Sequence, residues 1–184
     1  FKRANLVSMK ISIITPSYNQ GEFLERTIQS VISQNYPDKE FIVMDGGSTD
    51  QSIEILKSYN KDISHWVSEK DNGQTHAVNK GFNASTGDIL GWLNSDDVFY
   101  PNTLQIVADH FSQNPDCDFI YGQADYIDEH DLFINPYPTC SWDYDELKKW
   151  CYICQPAVFF RKSVLIEHGL LDETLNYCMD YEYW

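Results

Sequence analysis

Two neighbouring carboxylates, Asp96 and Asp97, close the run Gly87-Asp-Ile-Leu-Gly-Trp-Leu-Asn-Ser-Asp-Asp97, where an apolar strand-like stretch stops abruptly at acids. Side by side at a strand end the two charges repel, and a shared cation relieves that repulsion. Asp and Asn oxygens are hard ligands, so the ion would be Mg2+ or Mn2+ rather than zinc, and such ions usually share their shell with a substrate's phosphates. The competing use is structural: Ser95, Asp96 and Asp97 would cap a helix beginning near Pro101. Two further polar clusters follow apolar runs, Thr15-Pro-Ser-Tyr-Asn19 and Asp45-Gly-Gly-Ser-Thr-Asp50. Each alone reads as a turn. Together, after successive strands, they would supply hydroxyls and carboxylates for a ribose and base beside a carboxylate pair for a metal-bound diphosphate.

The elements that must position these groups alternate. Residues 11–15 form a β-rich run stopped by Pro16, and Phe23, Leu24, Thr27, Ile28, Val31 and Ile32 then recur at helical spacing. A second strand over 41–44 ends at Asp45 and precedes a helix carrying Ile53, Ile55, Leu56 and Tyr59. A third strand over 63–67, a helix over 75–84 and a fourth strand over 89–93 follow. A helix opens with Pro101 at its first position and keeps the interval through Leu104, Val107, Ala108 and Phe111. Strand–helix alternation predicts an α/β fold with a mainly parallel sheet flanked by helices. Open parallel sheets bind ligands beyond their strand C-termini, so the three polar clusters would converge on one edge. After Cys117 the pattern loosens: strands over 119–126, 132–137 and 158–160, short helices over 144–150 and 162–168, and aromatic, irregular sequence between them.

Composition sets limits. A chain of 184 residues can hold one domain with a real core and is too short for two full ones. Thirteen basic against 28 acidic residues give a net charge of −15, which argues against nucleic acid as a partner and against a polybasic membrane surface. An anionic substrate would then need a local cation. No apolar run reaches the ~18 residues of a membrane span and no signal-peptide pattern opens the chain, so the expectation is a cytoplasmic protein. Five scattered cysteines include one Cys-x-x-Cys, Cys151 and Cys154, with no second pair at zinc spacing, and read as structural thiols. The five histidines share no ligand spacing.

The ordered set Thr15-Pro-Ser-Tyr-Asn19, Ser30-Val-Ile-Ser-Gln34, Asp45-Gly-Gly-Ser-Thr-Asp50, Asn79-Lys-Gly81, Ala84-Ser-Thr-Gly87-Asp88, Asn94-Ser-Asp-Asp97, Gln155-Pro-Ala-Val-Phe-Phe-Arg161, Gly169-Leu-Leu-Asp172 and Met179-Asp-Tyr-Glu-Tyr-Trp184 resembles the family-two glycosyltransferases. The resemblance covers nearly the whole chain from Lys10. It implies the GT-A (Rossmann-like) fold over residues 10–184, cut short at the C-terminus. Residues 1–9, whose first eight show no periodicity, read as a flexible arm or as an added remnant foreign to the domain. It implies an inverting, metal-dependent transfer of a sugar from a nucleotide-diphosphate sugar to a hydroxyl of a glycan or lipid-linked acceptor, in surface polysaccharide or glycan assembly. Any membrane association would be peripheral, through regions outside this chain.

Position by position, the resemblance implies that Thr15, Pro16, Ser17 and Asn19 line the nucleotide pocket, that Asp45 bonds the base, and that Asn79 and Lys80 face the nucleotide edge. Asp96 would contact the nucleotide and, with Asp97, hold Mg2+ or Mn2+. The family's Asp-x-Asp motif has its first acid replaced here by Asn94, and Gly46 stands where many relatives carry a second acid. Asp50 is expected to stabilise its turn and the next helix. Asp180 aligns with the general base that takes the acceptor hydroxyl's proton, and Glu182 is the reserve. Two other classes compete. A nucleotidyltransferase would need a basic Gly-rich triphosphate loop, which the sequence lacks. A non-catalytic nucleotide-sugar-binding module would lack turnover through Asp180.

Overall fold

The computed structural model describes residues 9–175 and 177–184. Its centre is a six-stranded sheet in the order β3-β2-β1-β4-β8-β5. Strands β1 (Ile11–Ser17), β2 (Lys39–Asp45), β3 (His65–Ser68) and β4 (Ile89–Trp92) run parallel, whereas β8 (Val158–Arg161) is antiparallel to both β4 and β5 (Phe119–Tyr121). The class expected from the alternation is thus the one observed. Strand β1 is central and buried at all seven positions. Its alternate side chains feed opposite faces, as the period of a strand requires. Ile11 and Ile13 pack with α1 (Leu24–Ile32), α2 (Ser52–Ser58) and α4 (Thr103–Gln113), while Ile14 packs with α3 (Gln74–Ala84) and the C-terminal segment. Helix α3 lies so close that a β-carbon on Gly81 would stand 2.3 Å from Ile14 Cγ2.

The sequence expectations hold for the alternation and shift at several boundaries. Strand β1 runs through Pro16 rather than stopping there. Its pairing with β4 ends at Ile14, so beyond that residue a missing N–H interrupts no ladder on the β4 side. The expected strand over 119–126 is two, β5 and β6 (Asp125–Ile127). Strand β6 leaves the main sheet and pairs with β7 (Phe133–Pro136) as a separate hairpin. Helix α4 begins two residues after Pro101, behind Asn102 at φ 67°. The helix expected over 144–150 is the single turn α5 (Tyr144–Leu147). A 3-10 turn (Gln155–Ala157) precedes β8, and α6 (Lys162–His168) and α7 (Met179–Tyr183) close the chain. The proposed arm over 1–9 lies outside the described residues except for Met9, which packs against the core.

Candidate functional site

Parallel register brings the strand ends together. Ser17 stands beside Asp45 and Asp45 beside Ser68, while β4 continues past Trp92 with Leu93 N–H donating to Ile14 C=O at 2.8 Å. The loops that follow enclose a polar cleft of about 640 Å³, walled by Pro16, Ser17, Asn94, Ser95 and Asp96 on one side and by Lys70, Asp71 and Gln74 on the other. Tyr18, 61% exposed, stands at its mouth. Ser17 Oγ is buried against the cleft without a hydrogen-bond partner among the described residues.

The loops are stitched to one another. Asn19, at φ 52°, accepts from Thr49 N–H at 2.8 Å, and its own N–H donates to Ser48 Oγ at 2.8 Å. Asp50 accepts from Gly21 N–H at 2.8 Å and from Ser52 N–H at 3.0 Å, tying its turn to the start of α2. Asp45 is 1% exposed, and its carboxylate accepts from Gly47 N–H, Ser48 N–H, Ser48 Oγ and Ser68 Oγ. Its oxygens are thereby committed to holding the loop after β2.

Asn94 explains its own departure from an acidic motif. Its Oδ1 accepts from Gln74 Nε2 at 2.7 Å, and its Nδ2 donates to Asp97 Oδ2 at 3.2 Å and to Gln155 Oε1 at 3.0 Å. Gln155 Nε2 in turn donates to Trp92 C=O at 2.7 Å. An aspartate at 94 has no N–H to offer Asp97 and would add a third negative charge beside it. Burial and the neighbouring Asp96 charge push the Asp97 carboxyl up to about 6, against the Asn94 hydrogen bond, which lowers it. Neither acid caps α4: Asn102 at its N-cap makes no side-chain cap bond and Leu104 N–H donates to Gln34 Oε1 at 3.3 Å, so the structural alternative for Ser95-Asp96-Asp97 fails.

These residues fit a hard divalent cation. Two adjacent carboxylates, one of them pushed toward protonation by burial and, second, by the charge of the other, form an under-neutralised oxygen site. Among the described residues no group of three His, Cys, Asp or Glu side chains gathers at metal-binding geometry. The remaining shell would therefore come from phosphate and water oxygens, the usual habit of Mg2+.

Asp180 lies on α7, half-buried. Its charge reaches Cys154, whose thiol is pushed up to about 12 by burial, then by Asp97, Cys151 and Asp180. Cys154 also lines a second cavity of about 910 Å³ beside Asp97, under the β6–β7 hairpin.

Of the residues expected at the nucleotide, the structure brings Pro16, Ser17 and Asp96 to the cleft wall. Thr15 is fully buried, its Oγ1 unpartnered, and does not line the cleft. Asn79 does not face the nucleotide edge: it is 3% exposed and brackets Leu171 through both main-chain groups, at 2.9 and 3.1 Å. Lys80 is ion-paired with Glu69, away from the cleft lining. Sequence reading missed the β3–α3 loop, Lys70, Asp71 and Gln74. The signal was present: Ser68-Glu-Lys-Asp-Asn-Gly73 is a fourth polar cluster after a strand. Asp71 also accounts for Gly46, because a β-carbon there would stand 2.8 Å from Asp71 Oδ2. Asp71 places a carboxylate where a side chain at 46 would go.

Residues 12–169 match the model of glycosyl transferase family 2, and the chain belongs to that family. It is 31% identical over 169 residues to an uncharacterized glycosyltransferase of Nostoc sp., covering 85% of this chain and 52% of that protein. The chain thus spans about half the length of that curated relative. Its fold is that of the GT-A glycosyltransferases. It superposes on S. aureus TarS in complex with UDP with a TM-score of 0.78 at 20% identity, covering 95% of this chain and 54% of TarS. On the Pyrobaculum calidifontis mannosyltransferase PcManGT in complex with GDP-Man and Mn2+ the TM-score is 0.71 at 19% identity, over 95% and 50% of the two chains.

Proposed function

We propose that this domain binds a nucleotide-diphosphate sugar in the polar cleft and transfers the sugar, with inversion and with Mg2+ or Mn2+, to a hydroxyl of a glycan or lipid-linked acceptor in polysaccharide or glycan assembly. The observation that carries the reading is the meeting of four parallel strand ends in a cleft whose wall includes Asp96, next in sequence to Asp97. The family relationship and the UDP and GDP-Man complexes of the structural neighbours support it.

Each residue has a task that its placement supports. Tyr18 offers a ring face to the base, and Ser17 Oγ and Asp96 offer hydrogen bonds to the sugar of the nucleoside. Asp45 holds the loop, so reading the base falls to Asp71: one of its oxygens takes Gly73 N–H at 2.9 Å while the other points toward Gly46 at the cleft. Asp96 and Asp97 would hold the cation, which when bound neutralises the charge that builds on the leaving diphosphate. Asp180 takes the proton of the acceptor hydroxyl as that oxygen attacks the face of the sugar opposite the leaving group, which inverts the anomeric centre.

The test is a thermal-shift screen of UDP, GDP, ADP and CDP with and without Mn2+, followed by transfer assays. A ligand that binds only the native state stabilises it by about 2.7 kcal/mol at a hundredfold excess over Kd. The reading requires a Mn2+-dependent shift with at least one diphosphate and turnover that depends on Asp180. Release of pyrophosphate would instead identify nucleotidyl transfer.

A further inference from the structure

A primary amide has a donating end and an accepting end, so amides linked in series have a direction. Three such side chains, Gln155, Asn94 and Gln74, meet at the end of β4, and a backbone carbonyl fixes which way they face. The ladder between β8 and β4 ends at Leu90, so Trp92 C=O lies beyond it. The 3-10 turn before β8, closed by Ala157 N–H donating to Cys154 C=O at 3.0 Å and stiffened by Pro156, brings a side chain to that carbonyl instead. Gln155, 9% exposed, donates to it from Nε2 at 2.7 Å.

A carbonyl accepts and never donates, so Gln155 must turn Oε1 toward Asn94, and Asn94 must answer with its NH2 group. One hydrogen of that group goes to Gln155 Oε1 at 3.0 Å and the other to Asp97 Oδ2 at 3.2 Å, which leaves Asn94 Oδ1 to accept from Gln74 Nε2 at 2.7 Å. The direction from Trp92 to the acid pair allows no alternative. Reversing Asn94 would set its Oδ1 against two acceptors, Gln155 Oε1 and Asp97 Oδ2, and reversing Gln155 would set its Oε1 against Trp92 C=O. A half-buried acceptor facing another acceptor loses its hydrogen bond and keeps the cost of desolvation. Gln74 opens α3 on the opposite wall of the cleft, so the same network joins the two walls.

We propose that Gln155 and Asn94 are positioning residues for the acid pair: Gln155 aims the Asn94 amide, and the Asn94 N–H holds the Asp97 carboxylate in the orientation in which it takes the cation. This rests on the reading of Asp96 and Asp97 as cation ligands given above. Its consequence runs against charge counting. An aspartate at 94 would bring a third carboxylate to a cation site and yet weaken it, because one of its oxygens would face Gln155 Oε1 and Asp97 Oδ2 with no hydrogen between them. Groups that hydrogen-bond a metal's ligands typically govern its affinity by about ten- to a hundredfold.

The experiment follows Mn2+ binding by the loss of the free-ion signal in electron paramagnetic resonance, with whichever of UDP, GDP, ADP and CDP gives the largest thermal shift. It compares the unmutated chain with Asn94→Asp and Gln155→Leu, and measures nucleotide affinity in EDTA and melting temperature beside it. The expected result is Mn2+ affinity about tenfold weaker or worse in both variants, with nucleotide affinity in EDTA unchanged. Asn94→Asp keeps the size of a half-buried side chain, so it decides the question alone if Gln155→Leu, which strips Trp92 C=O of its donor, does not fold. Mn2+ bound by Asn94→Asp as tightly as by the parent, or more tightly, would overturn the proposal, as would parental Mn2+ affinity in a folded Gln155→Leu. Equal losses of Mn2+ and of metal-free nucleotide would also overturn it, since they would show damage to the cleft as a whole. A parent that binds Mn2+ with none of the four diphosphates would bring down the donor-cleft reading and this proposal together, whereas indifference of the variants in a parent that does bind it brings down the proposal alone.

Discussion

The cleft at the strand ends and the cavity under the hairpin share a wall and little else. The cleft is assembled by four parallel strands in fixed register, each delivering a polar loop to the same edge. The cavity is assembled by an antiparallel return strand, a detached hairpin and one face of α4, joined by contacts between residues 100 and 125 and between 26 and 131. Charged and hydroxyl groups dominate the first and aromatic rings the second. The difference teaches that one fold can build a polar space from strand ends in register and an aromatic one from a detached hairpin, with two consecutive aspartates at the boundary.

The largest effect should come from the acid that belongs to neither wall. Asp180→Asn keeps size and packing but removes the proton acceptor, so transfer should fall by about 100- to 10,000-fold while nucleotide affinity is unchanged. The measurement pairs transfer rate with donor Kd, in a chain extending beyond Trp184. Near-normal transfer would move the role to Glu182, and lost donor affinity would place Asp180 in the cleft.

Next in size is the boundary itself. Replacing Asp96 and Asp97 together by Ala should abolish the Mn2+-dependent part of nucleotide binding, about 2.7 kcal/mol of ligand stabilisation at a hundredfold excess over Kd. The apo protein should be as stable as before or more so, because the change removes a carboxyl that burial, and second the Asp96 charge, raises to about 6. Retained metal-dependent affinity in calorimetry would remove both acids from the metal site.

Within the cleft, two aspartates should separate. Asp71→Asn should weaken the preferred nucleotide by about 1.5 to 3 kcal/mol with little change in melting temperature, the scale of a charge-assisted hydrogen bond. Asp45→Asn should lower the melting temperature first, since its carboxylate accepts four hydrogen bonds from its own loop and Ser68. If Asp45→Asn proves as stable as the parent and loses base discrimination, the two roles are reversed.

The smallest expected effect lies far from both sites and provides a control. Burial raises the Glu40 carboxyl, but hydrogen bonds from Ser12, Thr86 and Lys10 outweigh it and hold the group down at about 2, from an ordinary 4.5. The folded value is the depressed one, so the contribution is complete above about pH 4.5 and is lost as the pH falls toward 2. Acid unfolding of Glu40→Gln followed by circular dichroism should show a shallower loss of stability across that window than the parent. An identical slope would show that Glu40 gains nothing from folding.

Much of this architecture was legible before any coordinates. Short apolar β-rich runs located β1 and β2, and the helical interval located α1, α2 and α4, because a strand buried on both faces reads as a continuous apolar run and an amphipathic helix repeats its apolar residues every three to four positions. Pro16, Ser17, Asp96 and Asp97 could be picked out because polar residues directly after a strand fall on one edge when strands are parallel. The same logic applied to the end of β3 would have found Asp71 and Gln74. The hairpin was not legible: Phe119 to Ile127 carries strand-forming residues throughout, and nothing local says that the ladder breaks at Gly122 and that β6 pairs elsewhere.

The sequence by itself determined which residues can do chemistry and in what order the parallel strands present them, since both follow from side-chain type and local period. Tertiary structure alone decided who is free to act. Asp45 and Asn79 have the same functional groups as residues at the cleft, yet one is taken by its own loop and the other by Leu171. Asn94 looked like a lost acid until its amide was seen to bridge Gln74 and Asp97. Hydrogen-bond partners distant in sequence determine whether a polar group is structural or available, because a buried donor or acceptor must be satisfied by whatever the fold places beside it.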